Sequence, residues 1–141
     1  GTASLHEHND KRIHLEGVVV NPADASLGKF FRVIGGNLMI EELSIPTENG
    51  LLSLQNGSSC PSGEQGTLQV FLYKTQSDGM FYQQKLQNPA NYIISPFGQI
   101  PPGDCIIVEF GTLRDKTDKL CRSYKVAETL GKLKGEIFNG N

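Results

Sequence analysis

Residues 67–86 constrain the fold of this chain more than any other stretch. From Thr67 to Lys74, Leu68, Val70 and Leu72 alternate with Gln69, Phe71 and Tyr73, which is the two-residue period of a β-strand. Ser77-Asp78-Gly79 supplies turn residues and Met80 to Leu86 runs back, so the segment predicts a β-hairpin. Large apolar groups stand on both faces of its first strand. Such a strand needs cover on both sides, which places it inside a sheet rather than at an edge.

The rest of the chain is cut into short pieces by 16 glycines and 7 prolines. Residues 12–20 alternate and end in three β-branched valines, a strand. Asn21-Pro22 then offers an N-cap and a first helical residue. Leu27, Phe30, Phe31 and Ile34 follow at i, i+3, i+4 and i+7, so a helix is predicted over 22–34, stopped by Gly35-Gly36 and weakened by Gly28. The competing reading is a strand at 29–34. Residues 38–45 read as a strand closed by Pro46, and Asn49-Gly50 as a turn into a short strand at 51–55. Small polar residues make 56–66 a loop. Residues 92–94 read as a short strand before Pro96, and Ile100 to Asp104 as a turn launching Cys105 to Phe110, the most apolar strand. After a polar loop at 111–118, Leu120, Arg122, Tyr124 and Val126 alternate with their neighbours as a final strand. It passes into a short helix or a ragged end near 128–134.

At 141 residues the chain has the size of one domain. Hairpin-length connections favour antiparallel pairing, and the alternating βαβ pattern of a parallel nucleotide-binding sheet is missing. The expected fold is mainly β: an antiparallel β-sandwich or partly closed β-barrel with one short helix. An α+β roll, with the helix packed on one curved antiparallel sheet, is the alternative. The expected core is Leu15, Val19, Leu27, Phe31, Leu68, Val70, Leu72, Ile106, Val108 and Phe110. Residues 1–11 read as a flexible arm with Gly1-Thr2 as a cloning remnant, 12–134 as the globular domain, and 135–141 as a tail.

No phosphate-binding glycine loop and no G-x-S-x-G elbow occurs, so no local catalytic motif is on offer. Glu41-Glu42 are adjacent, and in a strand adjacent carboxylates point to opposite faces. His6, His8 and His14 have the residue type for a divalent ion, but an arm without periodicity cannot fix ligands, so no metal and no cofactor are expected. Cys60, Cys105 and Cys121 form no CxxC pair. Their odd count predicts thiols in a reducing, intracellular compartment, with a Cys105–Cys121 bridge as the rival reading. The sequon Asn56-Gly57-Ser58 is no more than chance supplies.

Charge is the one global feature with functional content. Residues 37–110 carry seven acidic and two basic side chains, a net of −5, whereas 114–134 carry seven basic and three acidic, a net of +4. A basic strip on an acidic body steers anionic partners. Arg114, Lys116, Lys119, Arg122 and Lys125 are therefore the candidate partner-binding residues. The expected function is a non-enzymatic protein-interaction domain of a larger protein or assembly. It would bind another, acidic protein through an edge strand or this basic face. An enzyme with a scattered active site is the alternative. Nucleic-acid binding through 114–134 comes third, because only Tyr124 interleaves aromatic character there. No apolar run approaches the ~20 residues of a membrane helix, so no membrane partner is expected.

Overall fold

The computed structural model describes the backbone of residues 2–8 and 12–19, and the complete residues 26–48, 50–59, 63, 65–76, 78–93 and 104–137. In chain order it forms β1 (Thr2–His8), β2 (Arg12–Val19), α1 (Leu27–Val33), β3 (Asn37–Leu38), β4 (Glu42–Thr47) and β5 (Gly50–Gln55). Next come β6 (Thr67–Thr75), β7 (Met80–Leu86), a 3-10 turn (Pro89–Asn91), β8 (Asp104–Gly111), α2 (Arg122–Thr129) and β9 (Gly135–Ile137). Six strands make one sheet in the order β1-β2-β8-β6-β7-β9, and β3-β4-β5 make a smaller one. All neighbours are antiparallel except β7 and β9. The fold is mainly β, built of two sheets that do not close into a barrel.

The hairpin forms as its alternation demands, and β6 lies between β7 and β8. Its two faces serve two cores. Leu68, Val70 and Leu72, with Ile106, Val108 and Phe110 of β8, pack against Leu27 and Phe31 of α1 and Leu38, Leu43 and Ile45 of the small sheet. Phe71, Tyr73, Phe81, Cys105 and Ile107 face the other way, toward Cys121, Tyr124, Ala127 and Leu133. The small sheet with α1, the large sheet, and the α2 segment therefore stack as three layers. Each large side chain buried this way contributes about 1.5–3 kcal/mol of transfer free energy. Of the expected core, all eight members with described side chains are buried, while the side chains of Leu15 and Val19 lie outside the described residues.

Several expectations are corrected. The arm expected at 1–11 contains β1, paired along its whole length with β2. Helix α1 starts later than 22: Ser26 is its N-cap, with Oγ accepting the Lys29 N–H at 3.1 Å, and Asn21-Pro22 lies outside the described residues. Its predicted stop holds, since the Gly36 and Gly35 N–H groups bond back to Phe31 and Arg32 carbonyls with Gly35 at φ +94°. Gly28 is no weakness. A Cβ there would stand 3.0 Å from the Ala90 carbonyl, so glycine permits the 3-10 turn to lie against α1. The strand expected at 38–45 is two strands, and β4 continues through Pro46. That proline sits beyond Ser44, where β3 has ended, so its missing N–H has no strand to meet. At 92–94, Ile93 makes only a bridge to Ser26, and Ile94 lies outside the described residues, as does the turn at 100–103.

The largest correction is at 120–126, where a helix replaces the predicted strand. Cys121, Tyr124 and Ala127 are buried at three-residue intervals, the helical spacing that the alternation had masked. The expected tail contributes β9. Cys105 and Cys121 are not thiols but a disulfide across 16 residues, with Cα atoms 6.0 Å apart. The loop after β8 folds back over its own strand, bringing the start of α2 above Cys105. Cys60 lies outside the described residues.

Candidate functional site

Residues 112–121, between β8 and α2, form a strap across the large sheet. Three adjacent strands hold it with polar side chains that the two-residue period places on one face. Gln69 of β6 accepts the Arg114 N–H at 2.7 Å and donates to the Thr112 carbonyl at 3.0 Å. Lys85 of β7, above the Phe71 ring, donates to the Arg114 carbonyl at 2.5 Å. Gln83 of β7 accepts the Thr117 N–H at 2.7 Å and donates to the Thr117 carbonyl at 3.1 Å and to the Tyr73 hydroxyl at 3.0 Å. Fully buried Glu109 of β8 accepts from the Thr117 hydroxyl. The Tyr73 hydroxyl donates to the Lys119 carbonyl at 2.7 Å, and that of Tyr124 to the Tyr73 carbonyl at 3.2 Å. Burial raises both phenols far above the usual tyrosine range, so they remain neutral donors. These side chains bond to the chain itself, and the cluster is a clasp.

The clasp sorts the five predicted residues. Arg114 and Lys119 are half-buried, because their backbones are gripped from below, and the Arg114 Nε is buried without a hydrogen-bond partner among the described residues. Lys116, Arg122 and Lys125 are exposed. Arg122 and Lys125 stand on α2 and not on an edge strand, so the strand-pairing half of the expectation lapses for this segment. The sequence reading missed Val126 of α2 and Leu130, the residue capping its C-terminus, which are 46% and 64% exposed. Their i, i+4 spacing was a visible signal, hidden by reading 120–126 with period two.

Two other polar features lie on the opposite face. Lys74 donates to the Tyr92 hydroxyl at 2.8 Å, which donates to buried Asp104 at 2.6 Å, and the Lys74–Asp104 charges are 3.9 Å apart. This chain ties the segment after the 3-10 turn to the end of the large sheet. An open groove of about 580 Å³ is lined by exposed Met39 and Ile40 together with Leu38, Glu41, Glu42, Gln55, Asn88 and Ala90. Glu41 and Glu42 both line it, and only Glu42 belongs to β4, since Glu41 precedes the strand. The sequon asparagine, Asn56, is exposed, and its Oδ1 accepts the Leu68 N–H at 2.7 Å.

In the β1–β2 ladder His6 stands opposite His14, and His8 opposite Arg12. Among the residues with described side chains, no group of three His, Cys, Asp or Glu is placed to hold a metal ion. No protein family, curated protein or solved structure matches the chain.

Proposed function

We propose that the chain is a non-catalytic interaction domain that docks an acidic protein segment against α2 and the strap before it. The observation carrying this reading is the outer face of α2. Val126 and Leu130, one helical turn apart and exposed, stand among exposed Arg122, Lys125 and Lys132. Two neighbouring aliphatic side chains framed by cations suit a partner element that carries Asp or Glu beside aliphatic residues. The nucleic-acid alternative is weakened because Tyr124, the aromatic it relied on, is fully buried and out of reach of a base. The Cys105–Cys121 bridge favours an oxidising compartment over the reducing one expected from the cysteine count.

The test uses an immobilised synthetic peptide alternating Glu and Leu, its Glu→Gln counterpart, and single- and double-stranded oligonucleotides. The parent chain should associate with the acidic peptide, faster at low salt. The variant Arg122→Glu, Lys125→Glu, Lys132→Glu should lose that association. Unchanged kinetics for this variant, with its circular dichroism intact, would place the interface elsewhere. Tighter binding of the oligonucleotides would favour the nucleic-acid reading.

A further inference from the structure

The connection between β3 and β4 carries the two exposed apolar side chains of the groove, Met39 and Ile40. Its backbone is held from two sides. The Met39 N–H donates to the Glu42 carbonyl at 2.9 Å, and the Asn56 N–H, just beyond β5, donates to the Glu41 carbonyl at 2.9 Å. The apolar pair and its two carboxylates are thus presented by a backbone already in shape, which lowers the ordering cost of any contact made there. Among the described residues that line the groove, Glu41 and Glu42 are the only charged ones. The outer face of α2 has the inverse make-up. Val126 and, at the helix C-terminus, Leu130 are exposed aliphatic groups, and Arg122 and Lys125 beside them are exposed cations. Two apolar side chains with two carboxylates on one surface therefore match two apolar side chains with two cations on the other.

We infer that the groove receives α2 of a second copy of this chain, so that copies associate head to tail. The inference rests on the docking role proposed for α2 and names its partner: the acidic, apolar segment is the 39–42 connection of another copy. A helix of eight residues is about 12 Å long. The groove, about 580 Å³, has the volume of a small-ligand site, which is room for the side chains of one helix face rather than for a whole helix. Val126 and Leu130 supply the i, i+4 anchors of a helix laid in a groove, and unbranched Met39 adapts its shape to what covers it. The opposed charges set the orientation. The location of the two surfaces decides the kind of assembly. The groove belongs to the layer of α1 and the small sheet, whereas α2 covers the other face of the large sheet. Two copies joined by one contact therefore leave one groove and one α2 open. A heterologous contact of this kind adds further copies instead of closing as a two-fold dimer. A patch carried by one two-turn helix is smaller than the about 800 Å² per partner of a standard interface, so each contact is weak.

The test is sedimentation velocity of the full chain at concentrations up to about 1 mM, where contacts this weak are populated. The sedimentation coefficient should climb steadily with concentration, without a plateau at the dimer, and fall back when salt is added. Glu41→Lys with Glu42→Lys should weaken self-association by more than about tenfold, and so should Arg122→Glu with Lys125→Glu, because each places like charges across the contact. Mixing the two variants should restore association, since every contact between unlike copies is again of opposite sign. Restoration also shows that both variants are folded. Binding of the parent chain to the immobilised Glu–Leu peptide reads the docking role of α2 separately. A parent that binds the peptide but stays monomeric overturns the head-to-tail inference and leaves the docking role standing, whereas one that does neither removes both. Self-association that obeys the charge reversals without peptide binding supports the inference, with the shaped groove and not an acidic sequence as what α2 recognises. Self-association that survives both reversals, or a mixture of the two folded variants that remains monomeric, overturns it.

Discussion

At the scale of single residues, the decisive groups are polar side chains that reach from the sheet to a distant backbone. Gln69 meets Arg114 across 45 residues of sequence and Gln83 meets Thr117 across 34. Replacing either by an apolar residue would leave partly buried backbone groups of the strap unpaired, at up to about 1–3 kcal/mol each. Glu136 of β9 belongs to the same neighbourhood. Burial raises its carboxyl pKa above the ordinary value, while a hydrogen bond from Gln83 and the charge of Lys116 partly oppose this and Glu128 adds to it. The folded state therefore holds this proton more tightly than the unfolded chain. The contribution to stability is present below the ordinary carboxylate range and is lost as pH rises through the folded pKa. Glu136→Gln should accordingly raise the thermal midpoint at neutral pH, and the advantage over the parent should shrink toward zero below about pH 4, near the unperturbed carboxyl value. An advantage that persists undiminished in acid would mean that charge is not its source. None of this was legible in the sequence. Gln69 and Gln83 are unremarkable polar positions of an alternating strand until the strap is laid across them.

At the scale of elements, what could be read was what is local. The hairpin at 67–86 carries its period, its turn and its two-sided burial within twenty residues, and β8 is continuous in its apolar character. The cap of α1 was misplaced because two helix-start signals, Asn21-Pro22 and Ser26, compete within six residues. α2 was misread because Leu120, Arg122, Tyr124 and Val126 satisfy a strand pattern while Cys121, Tyr124 and Ala127 satisfy a helical one. Tertiary structure decides between them: the disulfide fixes Cys121 over Cys105, and Tyr124 then packs edge-on to Phe81 with ring centres 5.2 Å apart. The bridge closes a loop of 16 residues, and a loop of about that length is worth about 3 kcal/mol through restriction of the unfolded chain. Reductant should therefore lower the thermal midpoint. The loss should appear first as release of α2, read by tyrosine fluorescence and by faster amide exchange at 124–130. A midpoint indifferent to reductant, with the thiols shown to be free, would mean that the clasp alone holds this layer.

At the scale of the whole molecule, the large sheet has two cores that share the same two strands. β6 and β8 send Leu72 and Ile106 toward α1 and the small sheet, and Tyr73 and Ile107 toward α2. The proposed docking face on α2 and the groove beside Met39 and Ile40 thus belong to opposite layers of one body, linked through backbone that neither core can lose. Energetically, truncating a side chain on one side should be felt on the other. Leu72→Ala leaves a cavity in the α1-side core and should cost about 2–5 kcal/mol, a large part of the total of about 5–15 kcal/mol typical of a domain. Because β6 cannot unpair for one core alone, the slowest-exchanging amides of β8 and α2 should accelerate by the same factor as those of β4. Phe81→Leu, on the far side, should likewise lower protection in β4 by the factor it lowers protection in α2. If Leu72→Ala loosens β4 while α2 keeps its full protection, the layers unfold separately. A partner bound at α2 could then stabilise that layer without any effect on the groove. Matching factors would instead mean that a ligand on either face stabilises the whole chain.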